Sequence, residues 1–256
     1  MDKQAPSFPV RQIFFLLLLT FGGYILVDTL WPGDGESKTR ILLLECMTVV
    51  PALVLVRLKK IPFRQTFRLH PVSARLLGLS LVIGAGLNIV TDALNRLILY
   101  LLPMPQDLLD LFESVFVCKS VPDILILFAG AVVIAALAEE MLFRGLIQGT
   151  FEAMTDITRA VMTTAVVFTI LHFNPWQAVP ILILGVALGI LTWRCGSIYP
   201  AVIVHGMVNL LSVLSINISE SFLKTVFYRS WTAPLWILAG CAAAVWGFRQ
   251  FYKWTK

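Results

Sequence analysis

Two glutamates stand side by side, Glu139 and Glu140, in an apolar stretch that runs from Ile124 to Phe143, and Arg144 follows one turn later. An ionised carboxylate at the centre of a bilayer costs at least ~2.5 to 3.5 kcal/mol, so an intramembrane carboxylate marks a functional site by default. On an α-helix Glu140 and Arg144, four residues apart, share a face and can pair, whereas Glu139 is rotated by ~100° from its neighbour. The two acids are therefore expected to do different work: Glu140 is held by Arg144, and Glu139 points elsewhere. A buried ion pair alone is weak evidence of stability and explains only Glu140 and Arg144.

Two further polar sets interrupt apolar helices. His172 closes the run that contains Phe168, just before Asn174-Pro175-Trp176, and His205 and Asn209 lie four apart on one face of a later helix. Taken singly, His172 reads as a hydrogen-bonded histidine, and the His205/Asn209 pair as polar glue between helices in lipid. Depth brings them together. At 1.5 Å per residue from the helix ends, Glu139 lies ~16 Å from one membrane edge, His172 ~21 Å, His205 ~10 Å and Asn209 ~16 Å. All four fall in the middle of the bilayer, where they can surround one water-filled pocket. The chemistry that fits is hydrolysis of an amide. Glu139 and His172 remove a proton from water as it attacks a carbonyl, while His205 and Asn209 donate to the oxyanion that forms. No GxSxG elbow or Ser/Lys pairing suggests a covalent nucleophile.

The elements that must position these residues are membrane helices. The 256 residues are 58% hydrophobic and 14% charged, with mean hydropathy +0.85, against roughly 25% charged in a soluble domain. Stretches able to cross a ~30 Å core run near 12–30, 41–58, 76–101, 122–148, 158–173, 178–193, 198–216 and 233–251. The expected fold is all-α: a polytopic integral membrane protein of about eight transmembrane helices around a central polar cavity. Residues 1–256 read as one integral membrane domain with its motif core at 122–217.

Charge sets the topology. The loop from Arg57 to Arg75 holds six basic residues and no acid, which puts it in the cytoplasm. Acidic residues dominate the loop from Pro103 to Asp123, so it lies on the far side. Both termini then fall inside, in agreement with Lys3 and Arg11 at one end and Arg249, Lys253 and Lys256 at the other. The net charge of +5 is spread over helix ends rather than gathered on a face, which argues against nucleic acid. The run Ile13 to Thr20 has no small-residue cleavage site after it and reads as a retained first helix. The four cysteines show no CxxC spacing, so neither a disulfide framework nor a Cys zinc site is expected.

With the motifs in view, the chain resembles a known family. Glu-Glu-x-x-x-Arg at 139–144, Phe-x-x-x-His at 168–172 and His-x-x-x-Asn at 205–209, in this order, are similar to the CAAX protease and bacteriocin-processing enzyme (CPBP, or Abi) family. These are glutamic-type intramembrane proteases that include the type II CAAX prenyl endopeptidases. The resemblance implies that Glu139 activates water together with His172, that His205 and Asn209 form the oxyanion site, and that Glu140, Arg144 and Phe168 support them. It implies no cofactor. It also implies a membrane-associated protein or peptide substrate, whether a prenylated tail, a leader peptide or a C-terminal sorting tail. A compact chain with no eukaryotic retention signal suits a bacterial plasma membrane.

Two rival classes remain at this stage. A metal enzyme could use the histidines and one acid to ligate Zn²⁺, although there is no HExxH and the two glutamates cannot both turn inward. A non-catalytic immunity or scaffold protein of the same fold would be expected to lose a motif residue, and a transporter to show inverted repeats; neither sign is present. Asn88, Asp92 and Arg96, together with Glu45, are placed toward the outer leaflet, away from the site, with Asp92 and Arg96 as a structural pair.

Overall fold

In this computed structural model the described residues are 8–31, 37–218 and 233–255; Lys3 and Lys256 of the charge argument lie outside them. Ten helices make up the described fold: α1 Val10–Leu30, α2 Lys38–Leu58, α3 Phe63–Thr66, α4 Ala74–Leu101, α5 Gln106–Phe116, α6 Val121–Met154, α7 Ile157–Ile170, α8 Ala178–Cys195, α9 Tyr199–Asn217 and α10 Ala233–Trp254. Among the described residues six helices are long and apolar enough to cross a membrane, and α7 is a shorter apolar one. These six fall on six of the eight segments expected from hydropathy; on the other two, α7 is only 14 residues long and α10 is not among the six. The chain is an all-α polytopic membrane protein.

Local signals explain the boundaries. Ser73, Ser120 and Asp156 cap α4, α6 and α7 by accepting from the backbone N–H three residues on, which satisfies one of the orphan donors of a first turn. Gly196, at φ 67°, ends α8 in the left-handed conformation that a glycine adopts without strain. Two stretches of α6, Phe128–Ile134 and Met141–Ile147, are π-helical and flank the α-helical turn Ala135–Glu140 that carries both glutamates. At α-helical rise the 34 residues of α6 would extend ~51 Å, well beyond the hydrocarbon core.

Helix α6 is the central element, and its residues 141–150 are all buried. One core cluster joins it to α1, α2 and α7 through Leu16, Val49, Ala52, Leu142, Leu146 and Phe168. A second joins α4, α8, α9 and α10 through Leu79, Ile83, Leu188, Val204 and Phe251. Small residues allow the tightest approach: a Cβ on Gly86 of α4 would lie 2.6 Å from the Ala244 amide nitrogen of α10, the close backbone contact that small residues give helices in lipid. Phe14, Phe15, Leu58, Tyr100, Leu125 and Leu238 face outward from the bundle, as helices solvated by lipid require.

The connection 59–73 is a packed cap rather than a free basic loop. Arg68 forms a two-pronged ion pair with Glu152, its carbonyl accepts from Ile198 N–H, and Ser197 Oγ donates to the His70 carbonyl. Two departures from the sequence expectation concern element ends. The acidic connection contains the amphipathic helix α5, and α7 stops at Ile170, so that His172 sits in the turn beyond it.

Candidate active site

A polar row runs along α6 at four-residue intervals. Arg144 donates to Glu140 Oε1 at 2.8 Å, with both side chains fully buried, and to the Gly185 carbonyl of α8 at 3.2 Å. One turn on, Gln148 donates to the Gly189 carbonyl at 2.9 Å and to Glu152 at 2.8 Å, and Glu152 closes the row on Arg68. Gly185 and Gly189, themselves one turn apart, let α8 come close enough for these contacts: a Cβ on Gly189 would lie 2.8 Å from Gln148 Oε1. Charges of opposite sign alternate along this row, and each is hydrogen-bonded, as burial demands.

Glu140 also anchors the second motif helix. His205 of α9, 3% exposed, donates from Nδ1 to Glu140 Oε1 at 2.9 Å. Its Nε2 faces Glu139 Oε2 at 3.9 Å, beyond hydrogen-bond length. Phe168 is the hub between the helices. Its buried ring lies under the Arg144 guanidinium at 4.2 Å and edge-on to Phe143, His172 and His205, with centroid separations of 5.0, 4.5 and 5.9 Å. Asn209, placed at the oxyanion site from sequence, donates one Nδ2–H to the Ala131 carbonyl at 2.8 Å. That carbonyl lies in the first π-helical stretch of α6.

Glu139 turns the other way, toward α1 and α2. It lines a cavity of about 400 Å³ whose wall also includes Tyr24, Asp28, Arg40, Glu45, Thr48 and His172. This volume falls within the range of small-molecule and substrate pockets. His172 Nδ1 is 2.8 Å from the Phe168 carbonyl. A carbonyl can only accept, so Nδ1 carries the proton and the neutral ring keeps its lone pair on Nε2. His172 is thus a base-competent side chain on the same wall as Glu139. His205 and Asn209 stand behind that wall.

The motif-bearing part of the chain matches one family: residues 121–211 fit the family model described as Type II CAAX prenyl endopeptidase Rce1-like. The motif core resembles that family. The matched segment holds Glu139, Glu140, Arg144, Phe168, His172, His205 and Asn209, so the likeness to CAAX proteases seen in the motifs is borne out, and the match implies a protease. No curated protein matches the chain, and neither does any solved structure.

The Rce1-like segment supplies only one side of the cavity. The other side comes from α1 and α2, through Thr20, Tyr24, Glu45 and Thr48. Here the sequence expectation for Glu45 is overturned. Glu45 is not remote from the site: it lines the same cavity as Glu139. Counting residues from helix ends misplaced it because α2 begins at Lys38, not Ile41, and because α6 is far too long for its ends to mark the membrane edges. Asp92 and Arg96 do pair, at 3.0 Å on α4. Gln148, Glu152 and Arg68 were missed, although the four-residue spacing 140, 144, 148, 152 was there to be read. Among the described residues no three His, Cys, Asp or Glu side chains are grouped to hold a metal ion.

Proposed function

We propose that this protein is an intramembrane endopeptidase that cleaves a peptide bond in a membrane-associated protein tail or peptide, using water activated by Glu139 and His172 and forming no covalent intermediate. The observation that carries the reading is the shared cavity wall of Glu139 and His172, with His172 Nδ1 committed to the Phe168 carbonyl. Water entering that cavity gives its proton to the Glu139–His172 couple as its oxygen bonds to the substrate carbonyl carbon. The proton then passes to the leaving nitrogen as the C–N bond breaks.

His205 faces the same acid from behind. Because Nδ1–H is given to Glu140, Nε2 can donate to an oxyanion only in the imidazolium form. In this reading Asn209 holds α9 against α6 through Ala131 and so positions His205. Glu140, Arg144 and Phe168 lock the three motif helices together. The proposed mechanism uses no metal.

The basic loop 57–75 and the basic ends of the chain favour a cytoplasmic location for both termini. The similarity to type II CAAX prenyl endopeptidases makes a prenylated CAAX tail one candidate substrate, beside leader peptides and sorting tails. Mass spectrometry of membrane peptides from cells carrying the parent protein or Glu139→Ala tests the reading and separates these substrates. Termini present with the parent and absent with the variant are expected, and identical peptide sets would refute the proposal.

A further inference from the structure

Glu45 is the acid that the three motifs do not use. It reaches the same cavity as Glu139 of α6 from α2, outside the Rce1-like segment, so that two carboxyl groups line one buried pocket. Two carboxylates lining one small buried cavity repel each other, and a single proton held by the pair relieves that repulsion. The pair is not diverted by its surroundings. Tyr24 is engaged with Thr48 at 2.6 Å, Asp28 and Arg40 are paired to each other, and Arg144 is bonded to Glu140. His205 Nε2, at 3.9 Å, stays beyond bonding distance of Glu139, and His172 bonds to the Phe168 carbonyl through Nδ1. Glu139 Oε2 is buried without a protein hydrogen-bond partner.

We propose that Glu45 is a second catalytic carboxyl of this site: the Glu45–Glu139 pair holds one proton, with ionised Glu139 as the base toward water and protonated Glu45 as the acid toward the substrate carbonyl oxygen. This rests on the protease reading of the cavity. In the forward step a water O–H bond breaks and its proton goes to Glu139, while the water oxygen bonds to the carbonyl carbon. The Glu45 proton passes to the carbonyl oxygen, giving a neutral gem-diol. In the second step the proton on Glu139 moves to the leaving nitrogen and the C–N bond breaks. The diol returns a proton to Glu45 as the new carboxylic acid forms. The sum is amide plus water to acid plus amine, and the pair ends with the single proton it began with.

The pair is tested first without any substrate. Infrared spectra of the purified protein at neutral pH report the C=O stretch of a protonated carboxyl. The parent is expected to show this band, and Glu45→Gln and Glu139→Gln are each expected to lose it; a band that survives in Glu45→Gln overturns the proposal. The acid role is tested by following, from acid to alkaline pH, the peptides released from bacterial membrane vesicles. The parent needs one proton on the pair and should lose activity at both extremes. Glu45→Gln should be slowed on the order of 10²-fold or more and should lose the alkaline limb, because the group whose deprotonation produced it is gone. Parent-like rate and profile in Glu45→Gln, with Glu139→Gln inactive, would overturn the Glu45 assignment and leave the protease reading standing. Peptide release unaffected by Glu139→Gln would instead refute the protease reading, and the carboxyl pair would then be decided by the infrared band.

Discussion

Replacing Arg144 with methionine should damage the fold more than any surface change, and the structure sets the size. The guanidinium is fully buried and makes an ion pair with Glu140, a hydrogen bond to the Gly185 carbonyl and a cation–π contact with Phe168. Methionine fills similar volume but leaves the Glu140 carboxylate buried with His205 as its remaining partner. Breaking a buried pair by removing one partner costs about 3–5 kcal/mol. For a chain of this size about 1 kcal/mol corresponds to roughly 2–4 °C in melting temperature, so a drop on the order of 6–20 °C is expected. Adding Glu140→Gln removes the stranded charge and should restore part of the loss, with a coupling of about 1–3 kcal/mol between the two sites. Thermal melts of the parent, both single variants and the double variant in one detergent measure all of this. An Arg144→Met protein that melts with the parent, or a double variant with no coupling, would refute the reasoning.

Other outcomes follow from the same geometry. Asn209→Ala removes the hydrogen bond to the Ala131 carbonyl and should cost about 1 kcal/mol of stability, slowing cleavage by less than the ~10² that loss of an oxyanion donor produces. A larger rate loss at unchanged melting temperature would return Asn209 to the oxyanion site. Gly145→Ala would set a Cβ 2.8 Å from the Phe67 Cα, a backbone contact that cannot rotate away, so a loss of about 1–3 kcal/mol is expected; an unchanged melt would contradict the close approach of α6 to the cap. Prolonged treatment with a strong chelator should leave peptide release unchanged, whereas loss restored by Zn²⁺ would establish a metal enzyme.

Hydropathy made the helices legible because a span must satisfy every backbone group internally and show lipid an apolar face. The pairing of Glu140 with Arg144 was equally legible, since residues four apart meet on a helix even where its turns widen, as they do after Glu140. What escaped was set by neighbours without a local signature. The acceptors of Asn209 and His172 are backbone carbonyls, and any residue type could have supplied them. Glu45 escaped because depth was counted from helix ends, a ruler that fails for a helix as long as α6. The row through Gln148 and Glu152 escaped although its spacing was visible, because uncharged Gln148 attracts no notice until its burial against Gly189 is known.

The most direct test of the account is the cleavage rate of Glu139→Gln in lipid vesicles, on a peptide identified by comparing membranes with and without the active protein. The substitution keeps the shape of the side chain and removes its capacity to take a proton from water. If Glu139 is the base, the rate falls on the order of 10²-fold or more while the melting temperature stays within a few degrees of the parent's. Cleavage at the parent rate by a folded Glu139→Gln protein would contradict the account.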